Sequence, residues 1–387
     1  MKGVNTGCFC IFILWLSGFT VQPVYSQARY KGAPKHAAPG ADMLPDPHAD
    51  YPVNSAVPGP LKDKLDKQVK QLFALTGMPG MSAAMLIAGK GLWRADTGFI
   101  SLPLQQKVDT TTLFYWASVS KLITATIIAM LVQEQQLSYD SKLADWFPQF
   151  QHAKDITIDA LLQHTSGLYS FNHDSTFHNS KRYYTPPELL ELVTARNNLF
   201  RPGEYWAYSN TGYLLLAMIA EKIEKKTFAQ IVQDRMATPF HLASLRVLMP
   251  QERPDNLAIG HVDGYTIMED YSTPLGAGNI ISNAKDMVLL LHALLTGQIS
   301  SLPMTKERLH DLYPMFDKGM YYGRGMILSD FHEINQTKNY WIGHNGGTED
   351  YRALVVYDVA TKAFVAVAVN QQVPVEAIAG KLLEQLK

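Results

Sequence analysis

Two side chains near residue 120 are spaced for covalent catalysis. Trp116-Ala117-Ser118-Val119-Ser120-Lys121 runs directly into Leu122-Ile123-Thr124-Ala125-Thr126-Ile127-Ile128-Ala129-Met130-Leu131. On a helix, Ser118 and Lys121 share one face, three residues apart. A serine hydroxyl is a weak nucleophile and needs a nearby base. Lysine, ordinarily near pKa ~10.4, becomes that base when burial disfavours its charged form. The segment after Lys121 is apolar on every face, so the helix should be buried. Its N-terminal N–H groups help to stabilise developing negative charge. The pattern alone is common, and Ser282-Asn283-Ala284-Lys285 repeats it. There Ser282 is read as the N-cap of a helix through Met287 to Leu295. The same bland alternative exists for Ser118: a helix cap, with Lys121 reaching towards solvent.

Two further segments carry groups of the right kind. Phe200 to Tyr213 (FRPGEYWAYSNTGY) is a polar, aromatic loop before an apolar helix over 214–223. Tyr208 offers a phenol that can shuttle a proton, and Asn210 an amide for hydrogen bonds. The alternative is that the aromatic residues simply pack. Trp341-Ile342-Gly343-His344-Asn345-Gly346-Gly347-Thr348 precedes an apparent strand at Arg352. Its glycines permit close approach of backbone to a ligand, and a backbone N–H there can share an oxyanion with that of Ser118. The alternative is a tight turn with an exposed His344. No phosphate-binding lysine motif and no H-E-x-x-H zinc motif occurs.

Ser118-x-x-Lys121, Tyr208-Ser209-Asn210 and His344-Asn345-Gly346, in that order, resemble the three motifs of the serine β-lactamase and penicillin-binding protein superfamily. The Tyr-x-Asn middle motif is nearer the branch of class C β-lactamases, DD-carboxypeptidases, esterases and D-aminopeptidases. Leu161 to Leu168 (LLQHTSGL) and Gly276 to Asp286 match that branch too, and the similarity spans about residues 61–387. The resemblance implies that Ser118 is acylated and that Lys121 is its base or proton relay. It makes Tyr208 an assisting base that protonates the leaving group. Asn210 would touch the substrate amide, and His344, Asn345, Gly346 and Gly347 would line the substrate strand. The N–H groups of Ser118 and Gly347 would form the oxyanion hole, one such donor being worth about 3 kcal/mol of barrier. No cofactor and no metal are implied.

The chain departs from the pattern at three positions. His344 stands where β-lactamases carry Lys, exchanging a fixed cation for a group that is neutral near pH 7. Arg352 is a candidate for the missing positive charge. Asp350 replaces a glycine common in relatives, and is expected to bring negative charge to the site entrance. The function implied is hydrolysis of D-alanyl peptides or β-lactam-like amides through an acyl-enzyme. An esterase on the same fold is the alternative enzyme. A non-catalytic binder of cell-wall or peptide ligands is the alternative of another class. The partner expected is a cell-wall peptide, β-lactam or ester.

These residues must be held by an α/β chain of the α+β type. Leu61 to Leu75 has a helical period; Met81–Ala88 and Gly91–Gly98 flank a Gly89-Lys90-Gly91 turn as a hairpin. Arg352–Tyr357 and Ala363–Asn370 read as strands, and residues 375–387 as a short helix. Strands at both ends and a mostly helical middle predict one antiparallel sheet from both chain ends, flanked by terminal helices, with a large mostly helical insertion. The resemblance makes this a β-lactamase/transpeptidase-like fold. The sheet part would comprise 61–111 and 296–387, and the helical part 112–295. A site between the two parts is expected.

The 387 residues are 47% hydrophobic and 18% charged with net charge -1, which suits a large core and offers no field for nucleic acid. The first 26 residues read as an export signal. They carry Lys2, a nine-residue apolar run Cys8–Leu16, and small residues at Val24 and Ser26 before cleavage at Gln27. The expected location is periplasmic or extracellular, with no membrane span left after cleavage. An uncleaved anchor is the alternative. Cys8 and Cys10, the only cysteines, exclude a disulfide framework and a cysteine-rich zinc site. Seven prolines in residues 27–60 (34, 39, 45, 47, 52, 58, 60) suggest an extended tether.

Overall fold

The computed structural model describes residues 28–37, 40, 43–178, 182–267 and 269–387. The expected export segment, 1–26, lies outside them. Among the described residues no helix is long and apolar enough to cross a membrane.

Both chain ends build one nine-stranded antiparallel sheet. From edge to edge its strands are Gln106–Lys107, Gly91–Ser101, Gly80–Ile87, Ala363–Val369, Arg352–Asp358, Tyr340–Gly347, Ile327–Asp330, Met320–Tyr322 and Tyr313–Pro314. The N-terminal strand Gly80–Ile87 pairs with Ala363–Val369 near the C-terminus, Met81 opposite Val369. That pairing staples the two ends together. The central strands are apolar at successive positions because both faces are covered. Met81, Ala83, Met85, Val365 and Val367 meet the terminal helices Gly59–Thr76 and Val375–Leu383. Ala84, Leu86, Ala366 and Val355 face the opposite core, where the helix Ala284–Leu295 crosses the sheet.

The helix Ser120–Gln133 is buried along nearly its whole length, as its uniform apolarity requires, and packs against Asn210–Glu224. Residues 112–295 are less uniformly helical than the sequence pattern suggested. They contain a three-stranded sheet of Phe114–Tyr115, Ile280–Ser282 and Arg246–Val247, and a hairpin of Gly260–Val262 with Tyr265–Ile267. Strands of two or three residues are too short to leave a period of two in the sequence.

Ser282 is not the cap of the following helix. Asn283 is: its side chain accepts from Asp286 N–H. Ser282 ends a buried strand, and its hydroxyl lies 2.9 Å from that of Ser244. The two residues are interchangeable caps by type, so sequence alone displaced the boundary by one.

The described part of the proline-rich arm lies against the body. Lys31 N–H donates to Glu204 O (2.7 Å), His36 N–H to Leu312 O (2.9 Å), and Lys35 pairs with Asp311 at 2.7 Å.

Candidate active site

The nucleophile turn is built by a strand meeting a helix. After Phe114–Tyr115 the chain makes a tight turn, Ala117–Val119, before the helix begins at Ser120. Ala117 has φ +44°, a left-handed conformation that costs a non-glycine residue about 1–2 kcal/mol. Surrounding bonds hold it there. Ser120 Oγ donates to Ala117 O (2.7 Å) and accepts from Ile280 N–H (3.0 Å); Trp116 Nε1 donates to Ser282 O (3.0 Å). The strained residue immediately precedes Ser118, so the strain positions the hydroxyl.

Lys121 is fully buried, with Nζ 3.1 Å from Ser118 Oγ and 2.7 Å from Ala277 O. Burial holds its ammonium well below the usual lysine range. A neutral amine here can donate to Ala277 O and turn its lone pair to the Ser118 proton. The carbonyl that orients Lys121 belongs to the Gly276–Asp286 segment, and Thr124 Oγ1 binds the same segment at Gly276 O (2.6 Å).

Tyr208 reaches the same place: it lines one cavity with Ser118, and its ring centroid lies 4.9 Å from Lys121 Nζ. Burial pushes that phenol upward, so it is protonated at neutral pH. A buried histidine clamps both flanks of Tyr208. Ala207 N–H donates to His164 O (2.9 Å) and Ser209 N–H to His164 Nδ1 (3.1 Å). The His164 ring lies 4.3 Å from that of Tyr208, centroid to centroid. Because Nδ1 accepts, Nε2 carries the proton, and burial keeps the ring neutral. Asn210 opens the helix Asn210–Glu224, but its Nδ2 is spent on Asn172 Oδ1 (2.8 Å), and it does not line the catalytic pocket.

The third motif is an extended strand, not a turn. Tyr340–Gly347 pairs with Arg352–Asp358 along its length, Gly347 opposite Arg352. On the other side, pairing with Ile327–Asp330 stops at Gly343. The backbone edge of residues 344–347 is therefore unpaired on that side, and the pocket runs along it. Gly346 is forced by packing: a Cβ there would sit 2.6 Å from Ser118 N and 2.7 Å from Trp116 O. No other residue lets the strand lie this close to the nucleophile turn.

His344 does not replace the missing lysine as a cation. Its Nδ1 meets Asn345 O at 2.5 Å and its Nε2 meets Tyr322 OH at 3.1 Å. Burial, reinforced by the neighbouring Lys121 charge, lowers it to about 3. Asn345 Nδ2 binds Glu376 (2.8 Å). The Arg352 side chain lies against Gly347, and its Nε is buried without a partner. Arg352 thus puts a guanidinium in the cavity wall. Asp350 is not at the entrance. It is buried, accepts from Tyr271 and Thr348, and burial raises it above the usual carboxylate range.

The resulting cavity, about 650 Å³, is lined by Ser118, Tyr208, His344–Gly347, Arg352 and apolar residues including Phe316 and Trp341. Among the described residues, one trio of potential metal donors converges: His36, Asp330 and Glu333. None of the three lines this cavity. Sequence reasoning missed Ala277, His164 and Tyr322. The LLQHTSGL stretch was a visible signal for His164, and Gly276 to Asp286 one for Ala277; nothing in the sequence marks Tyr322.

Comparison with known proteins agrees with this fold. The β-lactamase family model matches residues 65–386. Penicillin-binding protein 4* of Bacillus subtilis (strain 168) is 26% identical over 324 residues, covering 76% of this chain and 70% of that protein. Teichoic acid D-alanine hydrolase of Staphylococcus aureus is 23% identical over 238 residues, 59% of this chain and 58% of that protein. Among solved structures, D-amino acid amidase from Ochrobactrum anthropi SV3, complexed with L-phenylalanine, superposes with TM-score 0.76. It is 23% identical, over 85% of this chain and 98% of that one. A penicillin-binding protein from Bacillus halodurans gives TM-score 0.69 at 22% identity, over 82% and 97%.

Proposed function

Since the chain belongs to the β-lactamase family, we propose that this serine hydrolase cleaves amides of D-amino acids, in D-alanyl peptides or simple D-amino acid amides, through an acyl-enzyme on Ser118. The observation that carries the reading is the Lys121–Ser118 contact of 3.1 Å at a fully buried lysine. Lys121, neutral, takes the Ser118 proton as Oγ bonds to the substrate carbonyl carbon. The Ser118 and Gly347 N–H groups receive the oxyanion. The proton passes through the Tyr208 phenol to the leaving nitrogen, and the C–N bond breaks. Water then attacks the ester by the reverse path, giving its proton up towards Ser118 Oγ. Lys121 and Tyr208 act as one proton-sharing unit.

Three features support an amide substrate of peptide type. The unpaired edge of residues 344–347 suits an extended amide by adding a strand partner. Arg352, a guanidinium in the cavity wall, suits a substrate carboxylate. The names of two relatives, D-amino acid amidase and teichoic acid D-alanine hydrolase, point to D-configured amino acids. Export, proposed from residues 1–26, would bring the site to cell-wall peptides. The test compares D-alaninamide, a D-Ala-D-Ala peptide, nitrocefin and a p-nitrophenyl ester. Turnover of either D-amino acid amide substrate, lost in Ser118→Ala, supports the reading. Turnover of the ester alone overturns it in favour of an esterase.

A further inference from the structure

Beside the catalytic cavity lies a second chamber of about 530 Å³ that shares Tyr208, Met315 and Phe316 with it. One wall is the loop before Tyr208, carrying Leu199, Tyr205 and Trp206. The other is Tyr30, Gly32 and Ala33 of the N-terminal arm. Those arm residues fall before the stretch that the family model matches, 65–386.

The arm is fastened on both sides of the chamber. At one end Lys31 bonds Glu204 twice, backbone to backbone at 2.7 Å and Nζ to carboxylate at 2.8 Å. At the other, His36 pairs with the edge strand at Leu312 and places Nε2 3.1 Å from Asp330. Lys35 adds the Asp311 pair and lies 4.5 Å above the Tyr313 ring; Tyr30 packs edge-on to Tyr313 at 5.1 Å. Residues 32–34 span the interval as a strap.

Among the described residues the chamber walls hold no carboxylate, ammonium or guanidinium group, and His173 brings an imidazole to them. Of the eight large apolar side chains left exposed among the described residues, three line it: Leu199, Tyr205 and Phe316. Apolar surface gathered in a concavity next to a reactive serine marks a ligand group rather than scatter.

We propose that the arm, the 199–208 loop and residues 314–316 form a substrate subsite for an uncharged aromatic or bulky apolar group borne next to the scissile amide. The proposal rests on the catalytic reading of Ser118 for the word substrate, but the chamber itself can be tested without catalysis. Ala33 is exposed on the strap, so Ala33→Trp fills the chamber while leaving Ser118, Lys121 and Tyr208 intact. The first measurement is titration with the neutral fluorophore N-phenyl-1-naphthylamine, read by its emission. Wild type should bind it, and Ala33→Trp and a deletion of residues 28–36 should each weaken binding at least tenfold. Equal binding by all three, or none by wild type, overturns the subsite. The second compares kcat/KM for D-phenylalaninamide and D-alanine anilide with that for D-alaninamide. Ala33→Trp should lower at least one ring-bearing substrate tenfold and leave D-alaninamide within twofold. An unchanged ratio with D-alaninamide turned over refutes the subsite and leaves the reaction standing. Fluorophore binding that Ala33→Trp weakens, with no amide turned over, refutes the reaction and leaves the chamber standing.

Discussion

Replacing Lys121 by Met should change how stability responds to pH. In the unfolded chain a lysine titrates near ~10.4. In the fold Lys121 is fully buried, and burial holds it well below that value. Between the two values the unfolded chain binds one proton more than the native one. Stability contributed by this group therefore rises with pH, by 2.303RT or about 1.4 kcal/mol per unit. Met keeps the stem's bulk and does not titrate. The lost hydrogen bond to Ala277 O (2.7 Å) leaves a buried carbonyl unsatisfied and costs roughly 1–3 kcal/mol, but that offset is the same at every pH. His164 and His344, the titrating neighbours, are both lowered chiefly by burial and stay neutral above pH 7 in either protein. Urea unfolding followed by tryptophan fluorescence, from pH 7 to 9, isolates the slope. The wild-type minus Lys121→Met difference should climb about 1.4 kcal/mol per pH unit, close to 3 kcal/mol over the range. A flat difference would mean that Lys121 stays protonated in the fold, and the amine could not serve as the base.

Other substitutions follow from the same geometry. Tyr208→Phe should slow Ser118 acylation by a fluorophosphonate roughly 10²–10⁴-fold at unchanged melting temperature, the usual worth of a positioned proton donor. In wild type, because burial raises Tyr208, that rate should show no alkaline break from the phenol below pH 9. Gly346→Ala puts a methyl within 2.6 Å of Ser118 N, and should abolish labelling in a protein whose circular dichroism is unchanged. His164→Leu removes the acceptor for Ser209 N–H; acylation should fall while substrate KM moves less than kcat. Asn283→Ala should cost about 1 kcal/mol of unfolding free energy, the worth of an N-cap, whereas Ser282→Ala should leave that cap untouched.

The sequence carried the chemistry further than it carried the scaffold that holds it. Ser118, Lys121 and Tyr208 are marked by type and spacing, and they do converge on one point. Lys121 was legible because ten apolar or hydroxyl residues follow it without a charge. The sheet was legible where strands are long and buried on both faces, as at Ala363–Val369. It was not legible at its short edge, Tyr313–Pro314 and Met320–Tyr322, where two or three residues set no period. The site's supports were hidden for a different reason. Ala277 acts through a carbonyl that every residue owns. Tyr322 acts from a three-residue strand more than 100 residues from Tyr213, whose hydroxyl it meets at 3.2 Å. His344 was read from the motif as lining the substrate strand, and it does line the cavity, with both its nitrogens engaged inside the protein. Asp350, expected at the entrance because it stands where relatives carry glycine, is instead buried against Tyr271.

The central claim is that Ser118 is the residue that carries the acyl group. Wild type, Ser118→Ala and Ser282→Ala, each incubated with a fluorophosphonate and digested, are compared by intact and peptide mass. One adduct on the peptide containing Ser118, absent from Ser118→Ala and retained in Ser282→Ala, is the predicted result. An adduct that persists in Ser118→Ala, or no adduct on folded wild type, would contradict it.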